Sequence, residues 1–381
     1  MAGDRGDQVH IGLVGQGSLL IGGAERQVAV LSRHLGRLTP TTVLLLSERG
    51  PHLYDDQRDA GPATIHDVPE ADWTGPAPVR VLRRILGYKR AIAASGVDVV
   101  VQRIASWQTL NWAIACRLAR VPFVYHWASD HDGDIRELHL SPKWLGPRGF
   151  RRGRLMAKAQ IVITEDQLEA AGGTDARPPA HRLPDLIDDA PAWDPSPKAG
   201  PRDAVVWVAR IKEHYKQPHV FLDLAAALPH RRFVMAGAIF GSPAFEKGIR
   251  DRLAELPNVE LLGDVEHIRM PEVYGRARVL VNTSDVEGFC NAFLEAASCG
   301  VPTLSLNHDP DRILSKDGAG FCAEGDTVAL KEAVEAFFED DGRWETARAA
   351  CATVAARYGP ASIAARYRDL LTQIVQDGRR R

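Results

Sequence analysis

Residues 277–306 read ARVLVNTSDVEGFCNAFLEAASCGVPTLSL. The apolar, β-branched run Ala277–Val281 reads as a buried strand that ends at Asn282. A loop holding Glu287 and Gly288 follows, then a helix through Glu295 to Gly300, then a second apolar run, Val301–Leu306. Strand, helix and strand in such quick succession form a βαβ unit, and two neighbouring parallel strands need a crossover of this kind.

The same rhythm extends outward in both directions. Upstream lie the strand-like runs Ala204–Val208, Arg232–Ala236 and Val259–Leu262, and further back Val9–Val14, Thr42–Leu46, Val97–Val101, Pro122–Tyr125 and Gln160–Ile163. Between them, apolar residues recur at helical spacing, as Val28, Leu31, Leu35 and Leu38 do within Ala24–Leu38. The expected class is α/β, with parallel sheets covered by helices on both faces.

One segment breaks the alternation. Residues 189–202 (DAPAWDPSPKAGPR) hold four prolines and no apolar period, which reads as a linker. The expected organisation is a Rossmann-like domain over 1–188, a second Rossmann-like, doubly wound domain over 203–359, and a helix over 360–381 crossing back to the first. Two such domains are expected to face a central cleft at the carboxyl ends of their strands.

Composition narrows the function. The chain has 381 residues, 45% of them hydrophobic and 25% charged, and Lys+Arg 47 against Asp+Glu 49 gives a net charge of −2. That balance offers no general electrostatic case for nucleic acid. The 5 cysteines form no CxxC pair and no Cys/His cluster, so neither a structural zinc site nor a disulfide framework is expected. The start is polar, and no apolar run reaches the roughly 18 residues a membrane span requires. The expected location is cytoplasmic.

Three stretches carry chemistry. The opening loop, Gly15-Gln-Gly-Ser-Leu-Leu-Ile-Gly22-Gly23-Ala24-Glu25-Arg26, follows a strand and opens a helix, where glycines let backbone N–H groups approach a phosphate or sugar. Its spacing is not that of the GxGxxG dinucleotide fingerprint. Trp207–Pro218 leaves the second domain's first strand with Arg210, Lys212 and Lys216, cations suited to a diphosphate leaving group. In Asn282–Pro302, Glu287 and Glu295 can accept hydrogen bonds from different hydroxyls of one polyhydroxylated ligand, while the backbone after Gly288 offers donors at a helix start.

Glu287…Glu295 with its Ala-Ser-Cys-Gly-Val-Pro tail, Gly22-Gly23-Ala24-Glu25-Arg26 and Arg210…Lys216 together resemble the family-4 retaining glycosyltransferases of the GT-B fold. Asn282–Glu295 is similar to a bacterial exopolysaccharide-type branch, with counterparts of Ala128-Ser-Asp130 and Ser305–Asp311. The resemblance implies a nucleotide-sugar donor, UDP- or GDP-linked, a hydroxyl acceptor and no cofactor. It implies that Glu287 holds donor-sugar hydroxyls and Glu295 the ribose, with Asp264 and Val265 beside the base. Arg210 and Lys216 would grip the diphosphate, Gly22 and Gly23 would face it, and Gly288, Phe289, Cys290 and Asn291 would meet the sugar. The Arg210–Lys216 gap is one residue longer than is usual there, so Lys212 can share or take the role, and Cys290 stands where Gly or Pro is common.

In the first domain, His126-Trp-Ala-Ser-Asp130-His131-Asp132-Gly-Asp134 follows a strand end. The resemblance implies a His or Asp near the anomeric carbon, with Asp130 and His126 favoured over His131. The Asp130, Asp132 and Asp134 spacing also admits a divalent cation, but Arg210 and Lys216 already supply the counter-charge, and no metal is expected. Arg80–Arg90 and Lys143–Lys158 carry 5 and 6 basic residues and no acidic one. With Trp144, Phe150, Leu155 and Met156 interleaved in the latter, they suggest peripheral contact with an anionic membrane. Other readings of the same architecture are a sugar-nucleotide epimerase and a non-catalytic two-lobe sugar-binding protein.

Overall fold

The computed structural model describes residues 8–16, 23–47, 60–69, 76–133, 146–187 and 201–380. The chain divides into two compact units, Met1–Leu186 with Pro360–Arg381, and Ile187–Gly359. The linker expected over 189–202 lies almost wholly outside the described residues.

The first unit alternates β1 (Ile11–Gln16), α1 (Gly23–Gly36), β2 (Thr41–Ser47), β3 (Thr64–Pro69), α2 (Ala77–Ser95), β4 (Val99–Arg103), α3 (Thr109–Ala119), β5 (Phe123–His126), α4 (Gly146–Leu155), β6 (Ala159–Val162), α5 (Glu165–Ala170) and β7 (Ala180–Arg182). Among the described residues its 7 strands form one sheet in the order β3-β2-β1-β4-β5-β6-β7. Every neighbouring pair is parallel. β4 and β5 are buried along their whole length, which explains why they read as continuous apolar runs rather than alternating ones.

The second unit runs β8 (Ala204–Val208), β9 (Ile211–Lys212), α6 (Pro218–Ala227), β10 (Arg232–Ala236), β11 (Ile239–Phe240), α7 (Pro243–Ala254), β12 (Val259–Gly263), α8 (Met270–Gly275), β13 (Ala277–Asn282), α9 (Asn291–Ser298), β14 (Thr303–Ser305), β15 (Gly320–Cys322), α10 (Thr327–Glu339) and α11 (Asp341–Arg357). Its main sheet, in the order β12-β10-β8-β13-β14-β15, is also parallel. The order reverses between β8 and β13. Doubly wound sheets take their ligands at the carboxyl ends of the strands flanking such a reversal.

The last helix, α12 (Pro360–Arg379), belongs to the first unit and buries Ile363, Ala364, Tyr367 and Leu371 there. Its Tyr367 hydroxyl lies 3.2 Å from His126 Nε2 and donates to the Leu183 carbonyl at 3.2 Å. The apolar runs match β8 and β10 residue for residue and the other strands to within about two residues. β3, β7 and β15 are not among the runs singled out: β3 mixes polar with apolar residues, and β7 and β15 are 3 residues long.

Candidate active site

Arg210 sits at the β8 side of the second unit's reversal point. The chain turns there against Gly237, whose φ is +146°, and a Cβ on that glycine would run into the Ala209 carbonyl oxygen. Only glycine lets the end of β10 approach this turn so closely. The Arg210 guanidinium lies over the Phe240 ring, 5.7 Å from its centroid. Its Nη2 is buried without a hydrogen-bond partner among the described residues.

Lys216 is positioned by strained backbone and by the neighbouring strand. Tyr215 and Gln217 flank it at φ values of +69° and +44°, a left-handed conformation costly for non-glycine residues. A buried relay holds them. The Trp207 indole on β8 donates to Thr283 Oγ1 at 3.0 Å, and that hydroxyl reaches the carbonyls of Lys216 and Gln217 at 2.8 and 3.1 Å. The Asp285 amide donates to the Tyr215 carbonyl at 2.7 Å. The loop after β9 is thereby fastened to the loop after β13.

The fastening brings Lys216 and Glu287 together as an ion pair. Burial lowers the proton affinity of the ammonium, but the Glu287 carboxylate outweighs it and leaves Lys216 raised above an ordinary lysine. Gly288 is half-buried, Phe289 and Cys290 are buried, and Asn291 opens α9. Cys290 is the N-cap and makes no side-chain cap hydrogen bond, and its carbonyl accepts from the Phe293 amide at 2.9 Å. Burial pushes the Cys290 thiol up to about 12, with Glu287 adding to the effect, so it stays neutral. The Phe289 ring packs 5.0 Å from that of Tyr358.

Glu295 is buried on α9, where Oε2 accepts from the Tyr274 hydroxyl at 2.8 Å and Oε1 lies 3.2 Å from His267 Nε2. Arg202 anchors the far end of α9 through the carbonyls of Cys299 and Gly300, at 2.9 and 3.2 Å. Asp264 is exposed and Val265 half-buried on the turn after β12. The second unit therefore pairs Lys216 with Glu287 at the strand-edge reversal, with Arg210 on the turn after β8 and Glu295 on α9.

The first unit treats its expected residues differently. His126 is sealed in the interior, 1% exposed. Burial and the Arg103 charge hold it well below an ordinary histidine, so the ring is neutral. It lines a small cavity with Leu13, Gln27, Val28, Val101 and Arg103. Arg103 in turn makes a two-pronged bond to Asp185, at 2.6 and 2.7 Å. Asp130 is exposed and accepts from Gln167 Nε2 at 2.8 Å. Asp132 is buried and accepts from the Tyr125 hydroxyl at 2.9 Å and the Ala128 amide at 2.7 Å, so it braces the turn. Gly22 and Asp134 lie outside the described residues, and Gly23 opens α1 as an exposed residue. Among the described residues no group of three or more His, Cys, Asp or Glu could hold a metal ion. Phe150 corrects one expectation: it packs edge-on to Tyr125 at 5.2 Å in the core and has no surface to offer a membrane.

Residues 202–340 match the family Glycosyl transferases group 1. The match falls within the second unit and includes Arg210, Lys216, Glu287 and Glu295. A stretch of 116 residues is 32% identical to one subunit of the phosphatidylinositol N-acetylglucosaminyltransferase of Arabidopsis thaliana, covering 30% of this chain and 26% of that protein. Another, over 259 residues, is 24% identical to the D-inositol 3-phosphate glycosyltransferase of Xylanimonas cellulosilytica, covering 58% of this chain and 60% of that one. The chain therefore spans less than two thirds of the length of these relatives. Among solved structures, Anabaena HepE in complex with UDP superposes with a TM-score of 0.72 at 18% identity, over 96% of this chain and 100% of that one. Sucrose-phosphate synthase of Thermosynechococcus elongatus superposes with a TM-score of 0.75 at 16% identity, over 97% and 100%. The fold is that of the GT-B glycosyltransferases.

Thr283, Gly237, Tyr274 and His267 shape the site and were not among the residues singled out from the sequence. Gly237, directly after a strand, offered a legible signal. A threonine that bridges two loops did not.

Proposed function

We propose that the chain is a family-4 retaining glycosyltransferase that moves a sugar from a UDP- or GDP-linked donor to a hydroxyl acceptor. The observation that carries this reading is the Lys216–Glu287 ion pair at the reversal point of the second sheet, with Arg210 on the turn that leaves the neighbouring strand β8. In this reading the donor diphosphate lies on Arg210 Nη2 and Lys216, with the positive end of α9 adding to their charge. Fixed positive groups at a leaving diphosphate stabilise its developing charge without reorganising. Glu287, with the backbone from Gly288 to Asn291, accepts and donates to the sugar hydroxyls. Glu295 takes the ribose, and the Asp264–Val265 turn the base. With two cations on the diphosphate the proposed reaction needs no divalent metal and no cofactor.

From the first unit the proposal takes Asp130, exposed at the carboxyl edge of its sheet, as the group nearest the acceptor. His126 supports that edge from inside, as a neutral ring between Arg103 and Tyr367. The glycine loop ending at Gly22 and Gly23 is assigned to the donor's phosphate side.

A membrane partner is part of the same reading. α2 exposes Val79, Leu82 and Leu86, the second 56% exposed, next to Arg80, Arg83, Lys89 and Arg90. Because α2 runs back from β3 to β4, its first turns lie at the carboxyl edge of the sheet, the edge that carries Asp130. Leu155 and Met156, at the end of α4, lie at the opposite edge. α2 is therefore the favoured contact with anionic lipid. No described helix is long and apolar enough to cross a membrane.

Thermal-shift titration with UDP- and GDP-sugars tests the reading, since a ligand that binds only the native state raises its melting temperature by mass action. A rise with one of these donors, absent in Arg210→Ala, is expected. No shift with any nucleotide sugar contradicts it.

A further inference from the structure

We infer that Tyr274 and His267 are positioning residues that hold the Glu295 carboxylate for the ribose of the donor. The inference rests on the proposed reading of Glu295 as the ribose acceptor and adds what makes that carboxylate work. Glu295 is 8% exposed, and a buried carboxylate needs donors to stay ionised. It has one on each oxygen: the Tyr274 hydroxyl at 2.8 Å on Oε2 and His267 Nε2 at 3.2 Å from Oε1. An ionised carboxylate only accepts, so His267 carries its proton on Nε2. Tyr274 is fully buried, and burial together with the Glu295 charge keeps its phenol protonated throughout the working pH range.

The two donors approach different oxygens and so fix the plane of the carboxyl group, not merely its location. A fixed pair of coplanar acceptors is what a vicinal diol requires, because each hydroxyl must find its own oxygen. Both donors come from one short stretch. The 3-10 turn His267–Arg269 and α8 follow Asp264 and Val265 after the single residue Glu266, so the segment proposed to meet the base also orients the group proposed to meet the ribose.

Binding of UDP, GDP and their 2′-deoxy forms is measured by calorimetry for the wild type, Tyr274→Phe, His267→Ala and His267→Gln. Tyr274→Phe keeps the ring and loses only the donor, and glutamine can replace the imidazole as a donor. The expected result is a wild type that prefers the ribonucleotide, a preference cut about tenfold in Tyr274→Phe, the worth of one charged hydrogen bond. It is also cut in His267→Ala and restored in His267→Gln. Folded variants that keep the wild-type ratio, or that lose both nucleotides equally, overturn the positioning role. A wild type that binds a nucleotide without any ribose preference removes Glu295 as the ribose acceptor, and the inference with it. A wild type that binds neither nucleotide removes the proposed donor class.

Discussion

The Lys216 ammonium and the Glu287 carboxylate, on loops leaving different strands, are bound to each other as an ion pair. Each satisfies the other in a setting where water has little access. In the proposed reaction both must turn to a donor, the ammonium to its diphosphate and the carboxylate to its sugar hydroxyls. The pair holds both groups at the strand edge.

The two cations of the site differ in their structural duties, which separates activity from stability. Arg210→Ala removes a guanidinium whose Nη2 makes no hydrogen bond among the described residues. It is expected to lower kcat by about 10²–10³ at an unchanged melting temperature. Lys216→Ala leaves Glu287 without its partner, and is expected to cost on the order of 1–3 kcal/mol of stability as well as activity. Turnover near wild type in folded Arg210→Ala would remove that residue from the diphosphate site.

The fold was legible because buried parallel strands declare themselves. AVVWV and RFVMA are nearly all apolar, and they are β8 and β10 to the residue. Gly320–Cys322 was not legible, because its 3 residues contain a glycine and too little pattern to count. Arg210, Lys216, Glu287 and Glu295, the residues of the proposed donor site, stand out in the sequence by type and spacing. The Lys216–Glu287 pairing and the grip of Tyr274 and His267 on Glu295 do not, since each depends on which loops the sheet order places side by side. His126 shows the converse: a polar residue at a strand end reads as a site, yet here packs inside against Tyr367, more than two hundred residues away in the chain.

Asp132 gives the first unit a pH-dependent stability. Burial raises its carboxyl to about 6, against the opposing pull of the Ala128 amide and Tyr125 hydroxyl. A folded-state value above the unfolded one means a stabilising contribution that is complete below about 4. That contribution is lost as pH rises through about 6. Asp132→Asn keeps an oxygen that can accept from both Tyr125 and Ala128 without the charge. Its melting temperature is expected to gain on the wild type between pH 4 and pH 7, by up to about 3 kcal/mol in stability terms. A difference that stays flat over that range would count against the buried charge.

Transfer is expected to persist in EDTA. In the proposed reaction Arg210 and Lys216 supply the counter-charge, and the Asp132 carboxylate is already committed to Tyr125 and Ala128. Loss of activity on chelation, restored by Mg²⁺ or Mn²⁺, would show that a divalent ion carries the diphosphate instead.

Membrane contact through α2 is expected to have two separable components. Co-sedimentation with vesicles containing anionic lipid should weaken as salt rises, since screening shortens to about 8 Å at physiological ionic strength. Leu82→Ser with Leu86→Ser should reduce the part that salt leaves behind. The same changes at Leu155 and Met156 should have little effect. Partition that is equal for neutral and anionic vesicles, or insensitive to the α2 changes, would reassign the surface.

Whether the protein transfers sugar at all is decided by following a panel of UDP- and GDP-sugars by proton NMR in its presence, with and without hydroxyl acceptors. One donor is expected to be consumed and its nucleoside diphosphate released. The sugar is expected in a product with the donor's anomeric configuration, and all three changes should vanish in Arg210→Ala. A nucleotide sugar returned with inversion at another ring carbon would make the protein an epimerase. Donors that bind and remain intact would make it a sugar-nucleotide binding protein, and either result would contradict the transferase.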